Sequence, residues 1–148
     1  MTYIVHSTYE RFSLALHNTA RTWRFSLDRR LKRLGLSQAA WMTIAMIAKA
    51  KTPLSQSELA QLTGVENPTM VAMIDRLVKA GYVERQPSPS DRRVRLVILT
   101  ASGQAIYQEL RKEAELFREE LLRDHDPVVL ENMTRALEAI QKAAEELK

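Results

Sequence analysis

The stretch LSQSELAQLTGVENPTMVAMIDRLVKAG, residues 54–81, leaves this chain few choices of fold. Ser55 and Glu58 have the S-x-x-E spacing of a capping box, in which the serine hydroxyl accepts from an early amide and the glutamate reaches back to the cap's own N–H. Leu59, Ala60 and Leu62 supply the apolar side of a helix that Gly64 stops after barely two turns. A second helix is predicted to start almost at once. Asn67 is the expected cap and Pro68 the first helical residue, where its missing N–H costs nothing. Met70, Met73, Ile74 and Leu77 then face inward until Gly81 ends the pattern. A short helix, a tight turn and a second helix of about 13 residues are the parts of a helix-turn-helix.

The next tract is RQPSPSDRRVRLVILT, residues 85–100. Tyr82 to Arg85 reads as an outgoing strand and Val94 to Leu99, aliphatic or β-branched apart from Arg95, as its return. Pro87, Ser88, Pro89 and Ser90 make a projecting turn between them, and Asp91, Arg92, Arg93 and Arg95 sit where turn meets strand. A charge cluster in a loop is often only solvated. Beside a helix-turn-helix, the same cluster becomes a wing that carries positive charge outward.

The flanks are helical by periodicity. Phe12, Leu16, Ala20, Trp23, Leu27, Leu31 and Leu34 recur at spacings of three and four, predicting a helix over 7–34 that Gly35 terminates. Ser37 caps the next helix, through about Ala50, with Trp41, Ile44, Ala45 and Ala48 in one stripe. After Thr100, another expected cap, Ile106, Leu110, Ala114, Phe117 and Leu121 resume the helical pattern. The tract DHDP interrupts it, with Asp126 capping and Pro127 opening the last helix. There Leu130, Met133, Leu137, Ile140, Ala144 and Leu147 form an unbroken seam, suited to packing on a partner chain or back on the first helix. The expected class is mainly α with a small β-hairpin wing.

Composition narrows the function. The 148 residues carry a formal charge of +4 and a pI near 9.6, which permits a polyanionic partner. The charge is uneven: Arg21, Arg24, Arg29, Arg30, Lys32 and Arg33 cluster early, while Glu109, Glu113, Glu115, Glu119 and Glu120 make the later segment acidic. With no cysteine, thiol catalysis and disulfides are excluded. His6, His17 and His125 lie far apart with no ligand-type spacing, so no metal or other cofactor is expected. No nucleophile and base pair, glycine-rich phosphate loop or paired carboxylates can be named, so an enzyme is not expected. The N-terminus lacks a signal-type apolar core, and no apolar run approaches the roughly 20 residues of a membrane span, placing the chain in the cytoplasm.

The D-R-R tract before a strand ending in LT, together with G-V-x-x-P-T ahead of DRLVKAGYVER, resembles the MarR family of bacterial transcriptional regulators. The tract RTWRFSLDRRLKRLGLSQAAW is similar to the SlyA-like branch of that family. The resemblance covers essentially the whole chain. It implies a homodimer on double-stranded DNA, with an N-terminal dimerisation segment over 1–35, a winged helix-turn-helix lobe over 36–100 and dimerisation helices over 101–148. Phe12, Leu16, Phe117, Leu121, Leu130, Met133, Leu137, Ile140 and Leu147 would form the dimer contacts. Dimer symmetry would map onto a pseudo-palindromic operator, with recognition helices about 34 Å apart.

By the same resemblance, Arg93 enters the minor groove and Asp91 holds its guanidinium, while Arg92 and Arg95 contact phosphates. Asn67, Pro68, Thr69, Val71, Ala72 and Arg76 make the outward face of the recognition helix. Only Asn67, Thr69 and Arg76 of these can hydrogen-bond a base or phosphate, and Ala72 stands where SlyA-like sequences commonly carry a basic residue. A repressor released by a small aromatic carboxylate or phenol is implied, with Trp41, Ala45, Met70 and Met73 lining a cavity and Arg21 as the cation. The usual histidine of that cavity is Ala45 here. Core packing is the competing reading for Trp41 and the methionines. A winged-helix module for protein association is the alternative for the whole chain.

Overall fold

The computed structural model describes residues 7–148, so His6 lies outside the described residues. Among the described residues, six α-helices and three short strands follow in the order α1 (Thr8–Leu31), α2 (Gln38–Lys49), β1 (Leu54–Ser55), α3 (Gln56–Thr63), α4 (Asn67–Lys79), β2 (Val83–Pro87), β3 (Arg95–Leu99), α5 (Ala101–Leu122) and α6 (Pro127–Glu146). The mainly helical winged fold expected from the sequence is the fold observed.

Local chemistry sets most boundaries. Ser7 caps α1 by accepting from the Glu10 amide at 3.1 Å, and Ser37 caps α2 from the Ala40 amide at 3.2 Å. The first helix does not reach Leu34 as an α-helix. It tightens into a 3-10 turn over Lys32–Leu34, and Gly35 closes the turn at a φ of 77°. At α3 the capping box is complete: the Ser55 hydroxyl accepts from the Glu58 amide at 3.1 Å and Glu58 accepts from the Ser55 amide at 3.2 Å. Ser55→Ala is therefore expected to cost about 1 kcal/mol of stability in urea unfolding. A change of only a few tenths would mean that water replaces the hydroxyl's bond at no cost.

The start of α4 departs from expectation. Glu66, with extended backbone, occupies the cap and makes no side-chain cap bond, so Asn67 is the first helical residue. Pro68 sits one place further in, still among the positions whose N–H would lack a helical partner. The wing strands are also shifted. The outgoing strand begins at Val83 rather than Tyr82 and extends to Pro87, which pairs with Arg95 at the end of an edge strand, where a missing donor is tolerated. Strand β1 is absent from the sequence reading. It is two residues long and exists through its pairing with β3, Leu54 opposite Val97 and Ser55 opposite Leu96, giving the antiparallel order β1-β3-β2.

The chain divides into two compact units with the boundary between Ala114 and Glu115, inside α5. In the first unit Leu31, Ile44, Leu59, Ile74, Val83 and Val97 are fully buried. Leu36, Tyr107 and Leu110 join the same core, so the packing crosses residues 35/36 and 100/101, where the sequence suggested divisions. Polar contacts tie α1 to its neighbours, among them the Arg30 Nε donating to Glu113 on α5 at 3.1 Å and the Trp41 indole donating to Asp28 at 3.4 Å. Where β3 turns into α5, Thr100 donates from its amide to Tyr82 O and from its hydroxyl to Gly81 O, and accepts from the Gly103 amide. Gly103 packs so closely there that a Cβ would lie 2.0 Å from Tyr82 O.

In the second unit Asp126 caps α6 by accepting from the Val128 amide at 2.8 Å, and Pro127 opens the helix. No residue of α6 is buried, and Met133, Leu137 and Ile140 stand exposed. Phe117 differs from the other residues expected at a dimer contact. It is already buried within its own chain, which leaves little of it for a partner.

Candidate nucleic-acid interface

Alternation along α4 separates a buried face from an outward one. Met70, Met73, Ile74 and Leu77 are buried, while Asn67, Pro68, Thr69, Val71, Ala72 and Arg76 are all exposed. A 3.6-residue period makes that division inevitable once one face meets the core. The outward face offers an amide, a hydroxyl and a guanidinium for hydrogen bonding, plus two small apolar groups that suit thymine methyls. Gly64 and Gly81, both at positive φ, set the turns at either end of this segment.

The wing tip is held by its own backbone. Ser88 donates to Val94 O at 2.9 Å, and Val94 donates to Asp91 O at 3.0 Å. Asp91 Oδ1 accepts from the Arg93 amide at 3.0 Å and from the Arg93 Nε at 3.3 Å. One carboxylate oxygen thus fixes both the turn and the first part of the arginine side chain. The rest of Arg93 projects into solvent, its side chain 92% accessible. An ion pair so exposed adds little to stability, so its effect is on where the guanidinium points. Arg92 and Arg95 are exposed as well, and among the described residues neither has a protein partner.

Asp75, next to the outward residue Arg76, joins α4 to the neighbouring strand. Arg85, on β2, donates from Nη2 to Asp75 Oδ1 and to Val71 O at 3.3 Å, and from Nε to Gln56 Oε1 at 2.6 Å. Arg76 is left exposed on the outward face. Neither Arg85 nor Gln56 carries a local sequence signal for this contact, because 29 residues separate them.

Of the five residues expected to line a ligand cavity, Met70, Met73, Trp41 and Ala45 belong to or pack against one core cluster, and Arg21 lies elsewhere. Met70 and Met73 are 2% and 7% exposed and belong to the core, because their stripe on α4 is the one that packs inward. Trp41 and Ala45 do share a cleft of about 530 Å³, with Met42, Met46, Leu54 and Leu62 on its walls and Lys49 and Lys51 at its edge. Arg21 lines a separate cleft of about 440 Å³ with His17, Arg24 and Phe25, and donates to Asn18 at 3.3 Å.

Comparison with known proteins decides the family. A MarR family model matches residues 34–94, and the structure superposes on that of the transcriptional regulator PA3341 with a TM-score of 0.80 at 34% identity, over 92% of this chain and 99% of that one. The chain belongs to the MarR family. Wild-type MarR from E. coli shares the fold at a TM-score of 0.77 and 24% identity, over 93% of this chain and 98% of that one. So does CouR from Rhodococcus jostii RHA1, solved with p-coumaroyl-CoA, at a TM-score of 0.75 and 18% identity, over 92% of this chain and 95% of that one. Membership of the MarR family makes the chain a non-enzymatic transcriptional regulator whose winged helix serves DNA-binding regulation. Among the described residues, no helix is long and apolar enough to cross a membrane.

Proposed function

We propose that this MarR-family chain is a cytoplasmic, homodimeric repressor of the SlyA-like branch that reads a pseudo-palindromic operator chiefly through its wing. The observation that carries the reading is Arg93, projected from a turn that its own Asp91 holds shut. A preset guanidinium of this kind suits a narrow A·T-rich minor groove, where the potential is most negative and shape rather than base identity is sensed. Arg92 and Arg95 add phosphate contacts, and Asn67, Thr69 and Arg76 supply the direct readout that α4 can offer. Dimerisation is supported by Phe12, Leu16, Leu121, Met133, Leu137, Ile140 and Leu147, large apolar side chains that the single chain leaves exposed. Leu130 lies on the same seam, half-buried.

An effector fits the same reading. CouR was solved with an acyl-CoA, and here the cleft beside Trp41 and Ala45 joins apolar walls to a cationic edge, as a small aromatic acid requires. A ligand that binds the dimer better off DNA than on it lowers operator affinity, and DNA lowers ligand affinity by the same factor.

Fluorescence anisotropy on a duplex from the intergenic region upstream of the gene tests both parts. The expected result is tight binding at one dimer per site, weakening steeply with salt, and a weaker apparent affinity with millimolar salicylate. Binding that is weak and indifferent to sequence at that and other intergenic duplexes would favour a protein-association module instead. Charge reversal at Arg92 and Arg93 separates the two readings, since such a module has no salt-sensitive DNA affinity to lose.

A further inference from the structure

We infer that Arg85 is a positioning residue that joins the recognition helix to the wing and so converts two separate DNA contacts into one rigid reading head. The inference rests on the DNA-binding function proposed above. Three elements converge on this one guanidinium: Gln56 at the start of α3, Val71 and Asp75 in the middle of α4, and Arg85 itself on β2. Val71 and Asp75 lie one turn apart on α4, on either side of the outward residue Ala72. Arg85 is two residues before Pro87, where β2 enters the wing tip, and its register partner on β3 is Val97, fully buried. One end of the link is therefore anchored in the sheet, the other in the DNA-facing helix.

The chemistry requires an arginine. Its planar guanidinium places several N–H donors in a fixed fork, so a single side chain can serve an amide oxygen, a backbone carbonyl and a carboxylate in one plane. A lysine, a point charge on a flexible stem, can reach Asp75 but cannot fix the angle between the three acceptors. The Arg85 side chain is 25% exposed and its Nε and Nη2 are spent on protein acceptors, whereas Arg93 and Arg92 are turned to solvent. Arg85 thus acts through geometry, and the wing arginines through contact. Specific binding needs α4 and the wing engaged together, while non-specific binding needs only positive charge near phosphates. Loosening the link should therefore weaken the first and spare the second.

Two measurements test this on the full chain. In the first, Arg85→Ala and Asp75→Ala are compared with the parent on operator and on random duplex at two salt concentrations. Each variant is expected to lose about ten- to a hundredfold in operator affinity, with random-duplex affinity and salt slope unchanged, and the double variant is expected to lose no more than either single one. If operator and random affinities fall together with a shallower salt slope, Arg85 is a phosphate contact and the inference is overturned. It is equally overturned if Asp75→Ala, which removes the acceptor at a largely exposed site, binds as the parent does.

The second measurement needs no DNA. Because the chain has no cysteine, Ser90→Cys on the wing and Lys79→Cys at the end of α4 admit two spin labels and no others. Diluted with unlabelled protein, the parent should give one narrow distance distribution by pulsed electron resonance, and Arg85→Ala a broad one. An equally narrow distribution would overturn the inference. If instead the parent fails to discriminate operator from random duplex while the distances behave as expected, it is the DNA-binding reading that has failed and not the link.

Discussion

Replacing Arg92 and Arg93 together by alanine should lower operator affinity by about a hundredfold or more and make the remaining binding less sensitive to salt. The size reflects the two groups removed. One side chain supplies phosphate neutralisation, and each such contact contributes roughly 0.9 to the logarithmic salt slope, so a drop of about 1 to 2 is expected for the pair. The other is the shape-sensing group, whose loss also erodes preference for A·T-rich sites. Thermal unfolding should not move, because both arginine side chains are exposed and alanine at 93 keeps the backbone amide that donates to Asp91. Anisotropy titrations at two salt concentrations with a melting curve alongside check all three statements. Thr69→Ala is the internal comparison. If it abolishes binding while the wing variant keeps its affinity, readout resides in α4 and the proposed dependence on the wing is wrong.

The largest effect on stability is expected at Gly103. Propensity alone predicts that Gly→Ala inside a helix such as α5 stabilises by roughly 0.5–1 kcal/mol. Packing predicts the opposite sign. The new Cβ would stand 2.0 Å from Tyr82 O and 3.2 Å from the Leu99 side chain, and Tyr82 O is backbone already engaged by the Thr100 amide. Neither end of α5's first turn can yield, since Thr100 is also bonded to Gly81 O and to the Gly103 amide. Gly103→Ala should cost about 3 kcal/mol or more, lowering Tm by on the order of 10 °C. Calorimetry or urea unfolding gives the sign directly, and a Tm at or above the parent's would mean the junction of β3 and α5 is looser than these contacts require.

What the sequence made legible was whatever a few neighbouring residues decide among themselves. The Ser55–Glu58 capping box, the glycine at each turn around α4, the Asp126-Pro127 start of α6 and the inward stripe of α4 are all fixed within one or two turns of chain. The same locality explains the shift at Asn67: proline is tolerated at more than one position in the first turn, so Pro68 alone cannot fix the cap to one residue. Strand β1 was invisible because two residues carry no period; they become a strand only when β3 lies beside them. Arg85 was invisible for a related reason. Its three acceptors are assembled by the fold from positions 56, 71 and 75, and nothing near residue 85 announces them. The candidate ligand residues differ in enclosure because helical stripes say which residues share a face, but not how far each is covered. Met70 and Met73 are enclosed in the core, while Trp41 and Ala45 pack against that core and also edge a cleft.

The bare surface of α6 has a consequence for how such a regulator responds to its own supply. A 20-residue helix with no buried side chain draws little support from its own chain. In the proposed dimer, association would therefore complete the molecule and create the reading competence in the same event. Below the dissociation threshold of the pair, occupancy of an operator would follow the square of chain concentration, so that halving synthesis would empty the site about fourfold. The gene's output would then be set as much by how many copies the cell keeps as by any small molecule it meets.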